Sequence, residues 1–316
     1  MVDLSALPEV LVGYYAAKGA FPQEVARLKK AIARIGGPAL ENLASRIKSN
    51  TAERKAISDI NAEIIAAARN QALQIAADEG RVGRAIAHNV EDLIHKQSNR
   101  EKILHLAVKQ LSMLPSIENR DDQVKNDDDW LNAFSDMAAQ KSNPDIQALW
   151  AKILAGEIRK PKSFSLQSLR LLSAIDAEDA ALIHDILGLS IAYKHALGVG
   201  SFIFKFPAGQ YIDKYLQCES LGILIGTSGR ITEDFKCDGV LVFWTSKTKI
   251  VANFDFNSIA SNQIIQIDSF PLTRFGKELR TLSSDLTCDP DYESQFVEFL
   301  ERKGAKVQRE QIKKIS

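Results

Sequence analysis

Four titratable side chains, His88, Glu91, Asp92 and His95, recur at i, i+3, i+4 and i+7 and so share one helical face. Two histidines with carboxylates are a zinc donor set. Helical zinc sites, however, place their histidines at i and i+4. Here they stand two turns apart, about 10.5 Å along the axis, too far for one ion to bridge. The stripe reads as solvated or partner-facing, and no metal ligand is assigned. Asp238 precedes an apolar run that ends in Thr245–Lys249 (TSKTK). That layout resembles metal-dependent nucleases, where carboxylates hold Mg²⁺ and a lysine sits beside the attacked phosphate. The acid expected two residues before Lys247 is replaced by Thr245. A nuclease centred on Asp238 and Lys247 is therefore the third-ranked reading, behind a strand edge guarded by charge.

Other reactive patterns are weaker. Leu221–Arg230 (LGILIGTSGR) carries Gly222, Gly226 and Gly229 but lacks the Gly-Lys-Ser/Thr of a phosphate loop. It reads as a glycine-bearing hairpin or loop. No Gly-x-Ser-x-Gly elbow and no Cys–His pair stands out for nucleophilic catalysis. His184 and His195 read as satisfied or exposed. No catalytic residue and no cofactor are assigned, and an enzyme is not expected.

The elements that would position such groups are mostly helical in pattern. After Pro22, residues Val25, Leu28, Ile32 and Ile35 repeat at helical spacing until Gly36-Gly37-Pro38 stops them. A short segment with Leu40, Leu43 and Ile47 follows. A long stripe then runs from Ile57 through Ile60, Ile64, Ala68 and Ile75. It resumes after Gly80 and Gly83 with Ile86, Val90, Leu93, Ile103 and Leu111. The two arms make one long helix or an antiparallel, coiled-coil-like hairpin. Two glycines within four residues favour a break near 78–84. The stretch 115–129 (PSIENRDDQVKNDDD) is acidic and aperiodic, a linker. Asp129 is placed to cap a helix carrying Trp130, Phe134 and Met137. Ser142 or Asn143 caps the next, with Leu149, Trp150, Ile153 and Leu154 as its anchoring face. Ser163 or Ser165 caps a third with Leu169, and Asp176 a fourth running towards Tyr193. Beyond residue 198 the period changes to two, the signature of strands. In Ile264–Leu282 a strand runs into Leu-Thr-x-x-Gly-x-x-Leu. There Thr273 is a cap, Gly276 is the motif's structural glycine, and Phe275 and Leu279 pack back on the sheet, as at the last helix of winged-helix domains.

Composition excludes little. The 316 residues are 45% hydrophobic and 25% charged, with 40 basic and 40 acidic side chains. No overall charge points to nucleic acid or membrane. Locally, Lys18–Lys55 has nine basic and three acidic residues, and Leu300–Ser316 six and two. Arg27, Lys29, Lys30, Arg34, Arg302, Lys303, Lys306, Arg309, Lys313 and Lys314 are therefore candidates for a nucleic-acid surface. Three cysteines without metal spacing fit a reduced, cytoplasmic chain. No apolar run is long enough to span a bilayer. The opening residues lack a basic segment ahead of their apolar part, so they read poorly as a signal peptide.

Residues 59–182 resemble a bacterial family known as domain of unknown function 2806. The resemblance rests on Asn99, Ile103 and Ala107, on Trp130 and Phe134, on Gln147, Leu149 and Trp150, and on Ser163, Phe164, Ser165 and Leu169. The family commonly has Pro-Gly before that serine, where this chain has Pro161-Lys162. The segment LTRFGKEL is similar to the C-terminal end of such proteins. The resemblance implies no reaction, cofactor or catalytic residue. It implies an accessory gene of bacteria, near mobile elements, with phage defence as context.

These readings predict a mainly α chain. Its expected parts are a helical region (1–114), an acidic linker (115–129), a helical bundle (130–197) and a smaller, winged-helix-like α+β domain (198–316). The expected function is a non-enzymatic interaction or regulatory protein, with a homodimer as the simplest partnership. Nucleic-acid binding is the alternative.

Overall fold

Side-chain caps and apolar stripes lay down the helices. The computed structural model describes residues 22–36, 70, 74, 80–113, 127–195, 198–205, 211–227, 229–254, 263–282 and 286–312. The expected segments at 40–47 and 57–75 (70 and 74 aside), most of the acidic linker, and Lys313 and Lys314 lie outside them. The chain divides into two compact units, residues 1–173 and 174–316.

In the first unit, α1 (Pro22–Gly36), α2 (Gly80–Met113), α3 (Asp128–Ala138), α4 (Pro144–Arg159) and α5 (Leu166–Ser173) are the described helices. Gly80 has φ +62, a left-handed value through which a right-handed helix cannot run. Helix α2 therefore starts at Gly80 and runs on through Gly83, and residues 75–79 lie outside those described. The cap of α3 is Asp127, which accepts from the Asp129 amide at 2.9 Å, so Asp129 belongs to the first turn. Asn143 caps α4 and Ser165 caps α5. The last third of α2 (Ile103, Leu104, Ala107, Val108, Leu111) packs on α4. Trp130 stacks on Phe134 at 5.2 Å, and Phe134 meets Trp150 at 5.1 Å. Trp150, Ile153 and Leu169 are buried, whereas Leu149 is only half-buried. Polar contacts fix the register: Asn99 Nδ2 donates to the Ala139 carbonyl at 2.9 Å, and Gln147 Nε2 to Asn99 Oδ1 at 3.2 Å.

The α4–α5 turn is held by a buried acid. Glu157 accepts from the amides of Lys162 (2.6 Å) and Phe164 (3.2 Å). Trp130 Nε1 donates to the Phe164 carbonyl at 2.9 Å. Lys162 has φ 67, and among the described residues no other non-glycine has a positive φ. Glycine takes that conformation without Cβ strain. Lys162→Gly should therefore raise stability by about 0.5–1 kcal/mol, read as a higher melting temperature.

The second unit corrects the expected fold class. Seven antiparallel strands form one sheet, so the chain is not mainly α and the second unit is not winged-helix-like. They are β1 (Ser190–His195), β2 (Gly198–Phe204), β3 (Thr232–Cys237), β4 (Val240–Trp244), β5 (Thr248–Phe254), β6 (Gln263–Pro271) and β7 (Ala305–Gln311), in the order β3-β6-β2-β1-β4-β5-β7. Four helices accompany them: α6 (Ala177–Gly188), α7 (Ile212–Ser220), α8 (Arg274–Arg280) and α9 (Pro290–Arg302). The expected helix towards Tyr193 stops at Gly188, and β1 occupies 190–195. A short apolar run such as Ile191-Ala192-Tyr193 fits either element, and pairing with β2 and β4 decides it. Tyr193 faces Gly200 across the β1–β2 ladder, and a Cβ on Gly200 would collide with its ring. Phe202, Phe243 and Phe296 join β2, β4 and α9 in one aromatic core, with Phe243–Phe296 at 5.2 Å. Asp176 caps α6 and Thr273 caps α8, as expected. A Cβ on Gly276 would lie 2.5 Å from the Ile223 carbonyl, so only glycine fits that approach.

Candidate functional site

Within the second unit, the end of α6, the start of α7, the β4–β5 turn and the lead into α9 enclose a half-open cavity of about 510 Å³. That is the size of a small-molecule site. Its polar groups are largely committed to one another. Tyr211 Oη donates to Asp289 Oδ2 at 2.7 Å, and Asp289 also caps α9. This bond holds the Asp289 carboxyl below its usual range, while burial first, then Asp289, pushes the Tyr211 phenol up to about 12. Lys214 lies 3.5 Å from Asp185. Burial, then Glu293 and Asp289, push the Cys288 thiol up to about 12. Cys288 is thus a protonated thiol at neutral pH, unsuited to nucleophilic attack. None of these residues has a spacing that marks it in sequence, because the cavity gathers residues from 184 to 290.

Of the residues singled out in the sequence, Lys247 and His184 line this cavity, and Asp238 does not. Asp238 and Lys247 flank opposite ends of the five-residue strand β4, about 15 Å apart, and cannot share a metal or a phosphate. Among the described residues no group of three or more His, Cys, Asp or Glu could hold a metal. His95 approaches Glu91 at 4.0 Å on the exposed side of α2, and Lys96 pairs with Asp92 at 2.6 Å. The glycine loop at 221–230 is an amide nest already filled from within. Gly226 (φ +74) donates to Glu219 Oε1 at 2.7 Å, and both the amide and hydroxyl of Thr227 donate to Oε2. The Thr227 hydroxyl, then the Gly226 amide, hold the Glu219 carboxyl below its usual range.

The basic candidates divide. Arg27 is buried and donates to the Arg159 carbonyl at 3.5 Å. Lys30 and Arg34 both reach Asp128, at 3.1 and 3.3 Å, and Lys29 is exposed. Arg302, Lys303, Lys306 and Arg309 are exposed on and beside the edge strand β7.

The third surface was only half visible in sequence. In α2, Val82 is 61% exposed, Ile86 39% and Leu93 63%. These large apolar side chains form an exposed stripe along one side of the helix. Among the described residues no helix is long and apolar enough to cross a membrane.

Comparison with known proteins adds one finding. The model of the family described as protein of unknown function (DUF2806) matches residues 83–220. The resemblance holds. The match begins later and runs further than the 59–182 expected, reaching through β1, β2 and α7. LTRFGKEL lies beyond it. No curated protein and no solved structure matches the chain. The DUF2806 residues in the first unit are structural: Asn99 and Gln147 bond helix to helix, Trp130, Phe134 and Trp150 form the core, and Ser165 is a cap. They mark how the unit folds.

Proposed function

We propose that this protein acts by docking another macromolecule, as a non-enzymatic interaction or regulatory protein. The observation that supports the reading is the exposure of Val82, Ile86 and Leu93 on one stretch of α2. Covering what remains exposed of Val82 or Leu93 contributes roughly 1–2 kcal/mol each, and Ile86 less. Leu93→Glu removes one contact and plants a charge in any interface, yet leaves the fold alone because the site is exposed. Native electrophoresis of lysates from the producing cell should show wild-type protein in a complex heavier than its 34.9 kDa chain. Leu93→Glu should migrate as the single chain with an unchanged melting temperature. Equal migration of the two would overturn the reading. A nucleic-acid reading draws on the exposed Arg302, Lys303, Lys306 and Arg309. It would be preferred if nuclease treatment, rather than Leu93→Glu, dissolved the complex.

A further inference from the structure

The cavity in the second unit is held open by its own backbone contacts. A Cβ on Gly188 would lie 2.5 Å from the Thr287 carbonyl, so the end of α6 rests directly on the lead into α9. The Cys288 amide donates to Ser246 Oγ at 3.0 Å, which ties the same lead to the β4–β5 turn. Lys247 follows Ser246, and its carbonyl accepts from the Ile312 amide at 2.8 Å. Its backbone is thus fixed at the cavity's edge. Ile186, Leu189 and Pro290 supply apolar wall.

The charges lining the cavity give it a sign. They are two acids and two lysines, with His184 beside them. Asp289 is taken by the Tyr211 hydroxyl at 2.7 Å and the Asp291 amide at 2.9 Å. Asp185 faces Lys214 at 3.5 Å. Among the described residues, neither the Lys247 ammonium nor the His184 ring has a hydrogen-bond or ion-pair partner. A cationic ligand would have to compete with Tyr211 and Lys214 for the two acids. An anion finds an ammonium that nothing occupies and an imidazole that can donate to it.

We infer that this cavity binds a small organic anion, a carboxylate or a phosphate monoester on a compact apolar body, with Lys247 and His184 holding its charged end. The inference goes beyond the docking function proposed above and does not rest on it. Size agrees, since about 510 Å³ admits a ring and a charged head group.

Titration calorimetry on the full chain tests the assignment with three probes: phenyl phosphate, benzoate and the uncharged benzyl alcohol. One or both anions should bind saturably, and benzyl alcohol more weakly than either that binds. Lys247→Gln should weaken that binding about 10-fold or more, the loss of a charge-assisted contact. Lys247 is exposed, so this variant should melt with wild type. Lys247→Arg should keep most of the affinity. Lys249→Gln, whose lysine pairs with Glu310 at 2.8 Å outside the cavity, should bind as wild type. This pattern supports the site, and the tighter anion names its head group. No saturable binding of either anion would overturn the site. Equal affinity in wild type and Lys247→Gln would overturn the role of Lys247, and equal affinity for benzyl alcohol would overturn the anionic class.

Discussion

Trp150→Ala is expected to destabilise the helical unit by about 3–5 kcal/mol, the largest effect of any substitution considered. Trp150 is fully buried on α4 and packs its indole against Phe134. Alanine leaves a cavity that helices pinned by the Asn99–Gln147 contact cannot collapse to fill. The indole N–H finds no hydrogen-bond partner among the described residues. Removing it therefore costs nothing in hydrogen bonding, and the loss is one of packing. Two variants separate the contributions. Trp150→Phe keeps most of the ring and should cost well under half as much. Trp130→Phe loses the bond to the Phe164 carbonyl and should cost about 1–2 kcal/mol beyond its packing loss. Denaturant unfolding of the full chain measures all three. An unchanged midpoint for Trp150→Ala would mean that the aromatic core does not hold the unit.

The second large effect is expected at Glu157. Its carboxylate is 2% exposed and receives the amides of Lys162 and Phe164. Alanine would leave the buried Phe164 amide without a partner and release a turn that includes the strained Lys162. Each unsatisfied buried donor costs about 1–3 kcal/mol, so Glu157→Ala should cost about 2–4 kcal/mol. Glu157→Gln keeps one acceptor oxygen but turns an NH₂ towards a donor, and should recover only part of that. Denaturant unfolding decides the point. Combining Glu157→Ala with Lys162→Gly should be less than additive with the gain from glycine, because the two share one turn.

These cases show which parts of the chain were legible. Asp176 and Thr273 cap their helices as read, and Asn143 and Ser165 are each one of the two residues offered, because capping is local chemistry between a side chain and an amide two or three residues away. Phe134 and Trp150 were legible as core from helical spacing. Glu157 was not, since a glutamate in a basic turn looks solvated until the chain folds around it. The sheet was under-read for a related reason. Strand β1 has no alternation of its own, and its identity comes from β2 and β4. Asp238 and Lys247 look close in sequence, but the strand between them holds them apart. On α2 the spacing of Ile86 and Leu93 was plain, and a stripe of that kind usually means core. Only the structure tells that this part of it faces outward.

The docking face of α2 is the central claim, and site-specific photo-crosslinking tests it most directly. A benzoylphenylalanine is placed at Leu93, at Val82, or at Asn132, an exposed polar position on α3. In the producing cell, irradiation should yield an adduct of defined mass from positions 82 and 93 and none from 132. No adduct from the α2 positions, or the same adducts from Asn132, would contradict the account.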